Sequence, residues 1–226
     1  MNGSAGRNSE TRAIVTGGAQ GIGFAVAEAL ADEGCRALAL IGRSQEKGDK
    51  AVAVLKRAGV DAIFISADVS KVADCKRAVE MAIGHFGTVN ALVNAAATSA
   101  RGSLVETSED LFDQIFQTNV RGPFFLMQGV VAHLLARKAP GSIVNVLSMS
   151  AHCGQSFLAP YSSSKGALAT LTKNVANAYR GNRIRCNAVL PGWMDTEGEA
   201  IVQKKGTTRR TTGWNGPRPR SRWVNW

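Results

Sequence analysis

The sequence has few cysteines, and none is spaced as a metal site or a disulfide framework requires. Its four cysteines lie far apart in 226 residues and form no C-x-x-C pair. Clustered cysteines are what zinc sites and small disulfide-stapled domains need. The sequence therefore predicts no metal site, and it favours a protein of the reducing cytoplasm.

Long apolar stretches are also missing. The first fifteen residues contain no apolar run of signal-peptide length, and no later run is long enough to span a bilayer. Apolar residues make up 45% of the chain and charged residues 19%, a composition typical of globular proteins. We therefore expect no membrane partner, and a chain large enough for a sizeable core.

Acidic residues are absent from residues 201–226, and this absence explains most of the net charge. The formal net charge is +10, and seven basic residues lie in this segment with no acid beside them. The rest of the chain is close to neutral, whereas a nucleic-acid-binding domain carries its positive charge on the folded body. The sequence thus predicts a basic, unpacked tail, and nucleic-acid binding through that tail is the least favoured function.

Apolar segments alternate with amphipathic ones along the body of the chain. The apolar segments are predicted to be buried strands: 13–16, 37–42, 62–66, 91–96, 142–148 and 184–190. Helical periodicity occupies the stretches between them: 22–33, 45–57, 71–85, 109–138 with a break near 121–123, and 160–179. Such alternation predicts one α/β domain over residues 11–200, doubly wound around a mostly parallel sheet, after a flexible N-terminus at residues 1–10.

A glycine-rich segment, TGGAQGIG, lies between the first predicted strand and the first predicted helix. Gly17, Gly21 and Gly23 sit where the chain needs a tight turn and a backbone bare enough for a pyrophosphate to approach. The N–H groups at a helix N-terminus then bind the phosphates. A glycine cluster elsewhere is usually a simple turn, but this position and spacing favour dinucleotide binding.

The end of the second predicted strand, LIGRS, bears on which dinucleotide binds. Folds that hold NAD generally place an acid there for the ribose 2′-hydroxyl, and this chain has Gly42 instead. Arg43 follows, and a guanidinium can pair with a 2′-phosphate and stack on adenine. We predict NADP as the cofactor, with NAD possible. The alternative is that Arg43 is an ordinary solvated side chain.

Two further segments end predicted strands with residues suited to a cofactor. Asp68, after the third strand, can accept a hydrogen bond from an adenine amino group or can cap the helix that begins near Lys71. Asn94 and the small residues of VNAAAT, after the fourth strand, let the backbone pass under a cofactor. They also suit tight packing between strand and helix, and both explanations stay open.

Tyr161 and Lys165 are four residues apart in the segment YSSSK. On a helix this spacing puts both side chains on one face, where their polar ends can converge. A tyrosine, with a pKa of about 10, gives up its proton reluctantly near neutral pH. A nearby ammonium favours the phenolate and lowers that pKa. The alternative is a chance pair on an amphipathic helix.

Taken together, these segments resemble the short-chain dehydrogenase/reductase family over nearly all of residues 11–197. TGGAQGIG is similar to the family's cofactor motif, NAAA to its Asn-Ala-Gly stretch and YSSSK to its Tyr-x-x-x-Lys motif. Ser148 lies thirteen residues before Tyr161, which is the family spacing of the catalytic serine, and Asn119 matches the catalytic asparagine. PGWMDT at 191–196 is similar to the segment that closes over the nicotinamide. Ala96 departs from the family, which usually has glycine there.

The resemblance implies a Rossmann fold and an oxidoreductase that interconverts a small-molecule carbonyl and a secondary alcohol. It implies that Tyr161 donates the proton, that Lys165 lowers the tyrosine pKa and binds ribose hydroxyls, and that Ser148 polarises the substrate oxygen. Asn119 would hold a water that links Lys165 to solvent. Together with the motifs above, it implies these cofactor-binding residues: Gly17, Gln20, Gly21, Ile22, Gly23, Arg43, Ser44, Asp68, Val69, Asn94, Ala95, Ala96, Tyr161, Lys165, Pro191, Gly192, Met194 and Thr196.

The C-terminal segment does not fit the family pattern. The family expects a substrate loop, another helix and a final strand, and this chain has too few residues after Ile201 to supply them. Reading the segment from about Gly206 in a shifted frame with G/C-rich codons yields an acidic, amphipathic string that resembles the family's substrate loop. We therefore predict a missing last strand and a frame-shifted tail, and homo-oligomers only if this region were intact. The alternatives are an ordinary basic tail and a dinucleotide-binding protein without turnover.

Overall fold

The computed structural model describes residues 6–192 and Met194. These residues form six strands and six α-helices, with one helix between successive strands except between the fourth and fifth strands, which two helices join. The strands are β1 Arg12–Thr16, β2 Ala37–Gly42, β3 Asp61–Ser66, β4 Ala91–Asn94, β5 Gly141–Val146 and β6 Ile184–Val189. The helices are α1 Gly21–Asp32, α2 Gln45–Arg57, α3 Val72–Phe86, α4 Glu109–Phe116, α5 Gly122–Ala136 and α6 Ala159–Tyr179.

All six strands pair in parallel, in the order β3-β2-β1-β4-β5-β6. This order confirms the predicted doubly wound α/β sheet and matches the Rossmann arrangement. The direction in which the strand order runs reverses between β1 and β4. The loops after these two strands therefore diverge and leave a crevice at the carboxyl ends of the strands.

The strands are apolar on both faces because helices cover both faces. One core cluster packs α1 and α2 on the sheet through Ala27, Ala31 and Leu55. The other packs α3, α5 and α6 on the opposite face, with Val79 and Leu126 among its buried residues. Burial on both sides explains why the strands read as continuous apolar runs rather than as alternating ones.

The chain does not leave the helical conformation where a break near residues 121–123 is predicted. Helices α4 and α5 are instead joined by a π-helical segment, Gln117–Arg121, and Pro123 lies in the first turn of α5. A proline cannot donate an N–H into a continuous helix and disturbs its hydrogen-bond pattern, and the π segment lies just before it. The π segment contains Asn119, which is fully buried. Such segments often mark functional sites because they widen one turn and reorient its side chains.

Residues 6–10, part of the N-terminus predicted to be flexible, form a turn against the end of α1. Within this turn the Asn8 backbone N–H donates to Glu33 O at 2.9 Å, and Asn90 Nδ2 donates to Glu10 O at 2.8 Å. The predictions of a missing last strand and an unpacked, frame-shifted tail concern residues that lie outside the described part of the chain.

Candidate active site

A cleft of about 850 Å³ runs along the carboxyl ends of the strands. The loops after β1, β2 and β3 line one half, which we call the adenosine half. The loops after β4, β5 and β6, together with the start of α6, line the other half, which we call the catalytic half. Most of the predicted site residues line this cleft: Gly17, Gln20, Gly21, Ile22, Gly23, Arg43, Ser44, Asp68, Val69, Ala95, Ala96, Ser148, Tyr161, Pro191, Gly192 and Met194.

The glycine-rich turn joins β1 to α1 and needs its glycines for two different reasons. Gly17 and Gly21 have φ angles of +64° and +54°, in the left-handed region that side chains disfavour. Gly23 lies inside α1, and a Cβ there would collide with the carbonyl oxygen of Gly17. Helix α1 therefore begins directly against the turn. No described side chain caps its N-terminus at Gln20, so its first N–H groups face the cleft as an anion site.

Thr16, which the sequence analysis did not single out, links the glycine turn to the NAAA segment. Its Oγ1 accepts hydrogen bonds from the backbone N–H groups of both Ala95 and Ala96, each at 3.0 Å. These bonds hold Ala96 beside Gly17, where a Cβ on Gly17 would lie 3.1 Å from the Ala96 Cα. The position of Thr16 at the end of a predicted strand was the only sequence signal, and it does not reveal a partner about eighty residues away.

The far end of the adenosine half carries basic and hydroxyl side chains after β2. Arg43, Ser44 and Lys47 line the cleft there, and Lys47 Nζ donates to Gln20 Oε1 at 2.6 Å. Ser44 Oγ also caps α2 by accepting from the Lys47 backbone N–H. Lys47 is a second cation that the sequence analysis missed. Its spacing of four residues from Arg43 was a usable signal, because it places both near the first turn of α2.

Asp68 lines the cleft after β3 and does not cap α3 through its side chain. Its Oδ1 accepts from the Ser70 backbone N–H at 3.0 Å, and its own N–H donates to Asp74 Oδ2 at 2.8 Å. Helix α3 begins at Val72, and the residue before it, Lys71, makes no side-chain cap bond with any described group. The structure thus excludes a role for Asp68 as the cap of α3, and its carboxylate lies at the cleft.

Ser148 and Tyr161 line the catalytic half together. Ser148 follows β5, and Tyr161 lies in the first turn of α6. Ser148 Oγ accepts two hydrogen bonds from Ser150, one from its backbone N–H at 3.2 Å and one from its Oγ at 3.0 Å. A hydroxyl has two acceptor lone pairs and one proton. Since Ser150 occupies both lone pairs, the Ser148 proton is left to point elsewhere.

Lys165 lies behind Tyr161, one helical turn further along α6, and is almost fully buried. Its Nζ donates to the Val146 carbonyl oxygen at 2.8 Å and lies 5.8 Å from the centre of the Tyr161 ring. Burial lowers the pKa of Lys165 to about 8, because taking an ammonium out of water disfavours its charged form. Lys165 is thus next to the tyrosine without lining the cleft.

Asn119 is buried in the π segment and joins three parts of the catalytic half. Its Oδ1 accepts from the Thr98 backbone N–H at 2.9 Å, and its Nδ2 donates to Thr98 O and to Ser164 Oγ, each at 3.0 Å. These bonds attach the loop after β4 to α6 next to Lys165. Asn119 therefore contacts residues on both sides of the site and does not itself line the cleft.

Among the described residues predicted to bind the cofactor, Asn94 and Lys165 do not line the cleft. Asn94 points between the strands, where its Nδ2 donates to Asn145 Oδ1 at 2.8 Å. Asn145 in turn donates to Thr172 Oγ1 at 2.9 Å, so this pair ties β4, β5 and α6 together beneath the site. Thr196 lies outside the described residues.

The described part of the chain contains no group of three or more histidine, cysteine or carboxylate side chains that would suit a metal ion. Nor does any of its helices have the length and apolar character needed to cross a membrane.

The chain is similar to known proteins over most of its length. A family model described as short chain dehydrogenase matches residues 11–206. An uncharacterized oxidoreductase of Thermotoga maritima is 38% identical over 185 residues, which cover 82% of this chain and 72% of that protein.

Two solved relatives show the same fold with a dinucleotide present. A short chain dehydrogenase from Burkholderia cenocepacia in complex with NADP has a TM-score of 0.80 and 31% identity, covering 89% of this chain and 83% of its own. A short chain dehydrogenase/reductase from Burkholderia phymatum in complex with NAD has a TM-score of 0.80 and 28% identity, covering 86% of this chain and 69% of its own.

Proposed function

The chain belongs to the short-chain dehydrogenase family, and from that premise we propose that it transfers a hydride between a nicotinamide dinucleotide and a carbonyl–alcohol pair, with Tyr161 as general acid and base. One observation carries the proposal. Ser148 and Tyr161 line the same half of one cleft, and the Lys165 amine is buried 5.8 Å from the tyrosine ring. A hydrogen-bond donor, a proton carrier and a cation are the groups that carbonyl reduction needs.

The residues of the adenosine half fit a dinucleotide. A Cβ at Gly23 would collide with the glycine turn, and Gly17 and Gly21 adopt conformations that favour glycine. The uncapped start of α1 would hold the pyrophosphate, while Asp68 and Val69 would line the adenine pocket. When bound, the nicotinamide ring supplies or accepts the hydride.

The remaining steps belong to the protein. Tyr161 gives its phenolic proton to the substrate oxygen as that oxygen becomes an alkoxide, and takes it back in the reverse direction. Lys165 stabilises the phenolate that remains, because an ammonium beside a phenol favours its ionised form. With its pKa lowered to about 8, Lys165 is still largely protonated at neutral pH and can serve this role.

Ser148 would bind the substrate oxygen with the proton that Ser150 leaves free to point away. A hydroxyl whose lone pairs are both occupied is pre-oriented as a donor, so little reorganisation is needed when negative charge develops on the oxygen. Asn119 supports this half by fixing the loop after β4 to α6. It would therefore hold the geometry whether or not it also binds a water.

We further propose a preference for NADP over NAD. One solved relative contains NADP and another NAD, so the preference is argued from this chain's own residues. Arg43, Ser44 and Lys47 line the cleft after β2, and no carboxylate occupies position 42. Two cations and a hydroxyl would bind a 2′-phosphate, and no acid at that position repels it.

The test is NADPH oxidation by the purified chain with a panel of ketones, aldehydes and sugars, comparing the parent with Tyr161→Phe. The variant keeps the ring and loses only the hydroxyl, so we expect kcat to fall by about 10²- to 10⁴-fold while NADPH affinity is retained. Tyr179→Phe, at the far end of the same helix, is the matched control and should match the parent. Near-parental turnover by the Tyr161 variant would refute the role of Tyr161 as proton donor.

A further inference from the structure

We propose that the substrate presents an apolar alkyl or aryl group to the catalytic half, so that the enzyme acts on uncharged ketones and secondary alcohols with such a group rather than on sugars. This inference rests on the function proposed above and names the class of substrate that the same cleft takes.

Apolar side chains flank both of the groups that would bind the substrate oxygen. Met149 follows Ser148 directly, and Phe157 and Leu158 precede Tyr161 by four and three residues. All three apolar side chains line the cleft. An oxygen that binds both Ser148 and Tyr161 lies about 3 Å from each hydroxyl. The groups attached to the carbonyl carbon therefore lie among these side chains.

Two of these apolar side chains are exposed to a degree that the core residues are not. Met149 is 52% exposed and Phe157 39%, whereas Met127 in the core is 2% exposed. Apolar surface left in water is unfavourable, and several such side chains in one cleft are typical of a site for an apolar ligand. An alkyl or aryl group that covered them would recover this free energy on binding.

The loop between β5 and α6, which carries these side chains, is fixed at both ends. The Met149 N–H donates to Pro191 O at 3.0 Å. At the other end, Phe157 O accepts from the Gly102 N–H, also at 3.0 Å. The backbone therefore sets where the apolar surface lies, while the unbranched methionine side chain can adapt to groups of different shape.

The charges of the cleft call for neither a cationic nor an anionic substrate. Asp68 is the only carboxylate among the described residues that line the cleft, and it lies in the adenosine half. An ammonium group would thus find no described carboxylate in the catalytic half. Arg101 lines the catalytic half but already has interaction partners within the protein, among them the ring of Phe157, 5.1 Å from its Cζ. Its guanidinium therefore does not need an anion from the substrate.

Polar side chains also line the catalytic half, mainly on other elements. They belong to the loop after β4, to α4 and to the π segment: Thr98, Ser99, Gln114 and Thr118. The apolar group of the substrate is therefore expected on the side of the loop between β5 and α6, next to Met149.

The experiment compares apolar and hydroxylated ketones in the presence of NADPH. The apolar series consists of methyl ketones with alkyl chains from ethyl to hexyl, and each is paired with the same ketone bearing a terminal hydroxyl. Each added methylene should raise kcat/KM about fourfold. The terminal hydroxyl should remove most of this gain, because it would be taken out of water next to apolar side chains. No dependence on chain length, or hydroxylated ketones that react as well as their apolar partners, would overturn the proposal.

Met149→Gln keeps the length of the side chain and makes it polar. We expect it to lower kcat/KM for the hexyl ketone by about tenfold and to leave that for the ethyl ketone and the affinity for NADPH unchanged. Met149→Leu keeps the apolar character and should match the parent. Met81→Gln, 47% exposed on α3 and outside the cleft, is the control with the same substitution. Equal losses for both ketones, a loss of NADPH affinity, or no difference from the control would contradict the role of Met149.

A second measurement does not require turnover. Calorimetric titration of the same ketones into Tyr161→Phe with NADPH present should give a dissociation constant that falls about fourfold with each added methylene. Adding Met149→Gln to this variant should flatten the trend. If the parent reduces no ketone but the trend is found, the proposed reaction fails and the apolar site stands. If no ketone binds, or if affinity does not depend on chain length, the apolar site is refuted.

Discussion

The two halves of the cleft are built in different ways. The adenosine half depends on short segments in which neighbouring residues make the site: the glycine turn, the first turn of α2 and the end of β3. In the catalytic half, buried side chains form hydrogen bonds to residues distant in sequence: Asn119 binds Thr98, which lines the cleft, and Lys165 binds the Val146 carbonyl beneath it. The first half is thus specified by backbone conformation, and the second by buried polar contacts. Substitutions should therefore separate cofactor binding from catalysis.

Asn119→Ala should have the largest effect and should break the catalytic half alone. It removes the partner of the half-buried Thr98 N–H and carbonyl and of the buried Ser164 hydroxyl. Since each buried group left unpaired costs about 1–3 kcal/mol, we expect the free energy of unfolding to fall by ~4 kcal/mol, measured by urea denaturation. Asn182→Ala, in an exposed turn, is the control. An Asn119 variant as stable as this control would contradict the central role of these bonds.

The titration of Lys165 provides the next largest effect. Burial lowers the pKa of its ammonium to about 8 in the folded chain, from an ordinary value of 10.5. Between these values the unfolded chain binds more protons than the folded one, so the free energy of unfolding rises with pH across this window. Relative to that of Lys165→Met, the free energy of unfolding of the parent should rise by up to about 3 kcal/mol from pH 8 to 10.5. This extra stability is lost as pH falls through 8.

Urea denaturation of both chains at several pH values measures this difference. Lys173→Met, exposed on the same helix, should run parallel to the parent throughout. If the free energy of unfolding of Lys165→Met varied with pH in the same way as that of the parent, the lysine would not be buried as a cation beside Tyr161.

Arg43→Ala should affect the adenosine half alone. A charge-assisted bond to a 2′-phosphate is lost, so NADPH affinity should fall by about 10- to 100-fold while NADH affinity stays the same. Fluorescence titration with both cofactors measures the difference between the NADPH and NADH affinities. Arg57→Ala, at the exposed end of α2, is the control. Equal affinities for NADPH and NADH in the parent would refute the preference.

Ser150→Ala should produce the smallest effect. The variant loses the Oγ donor to Ser148 but keeps the backbone donor, so Ser148 is oriented less strictly. We expect kcat to fall about fivefold, corresponding to one hydrogen bond of about 1 kcal/mol, with KM unchanged. Ser150→Thr keeps both donors and should restore kcat. A change in KM alone, or a failure of threonine to rescue, would show that Ser150 does not orient Ser148.

The same contrast explains how much of the molecule the sequence could predict. Strands apolar on both faces indicated the parallel sheet, and the glycine turn indicated a dinucleotide site, because both signals are local in sequence. The two helices predicted within residues 109–138 are present, and the second begins at Gly122. They are joined by a π-helical segment that contains the buried Asn119, whereas Gly122 and Pro123 suggested a break in the chain. Thr16 and Ser150 were missed, Thr16 because its partners are remote in sequence and Ser150 because a serine beside a serine is too common to form a motif.

The most direct test of the central claim is the transfer of deuterium from labelled NADPH to a carbonyl substrate. After incubation of the intact chain with NADPH that carries deuterium at the reactive position of the nicotinamide, the product alcohol is examined by mass spectrometry. We predict deuterium on the carbinol carbon with the parent and a loss of about 10²- to 10⁴-fold in its rate of appearance with Tyr161→Phe. Cofactor that binds tightly without any transfer of label to any carbonyl compound would contradict the account and leave a dinucleotide-binding protein without turnover.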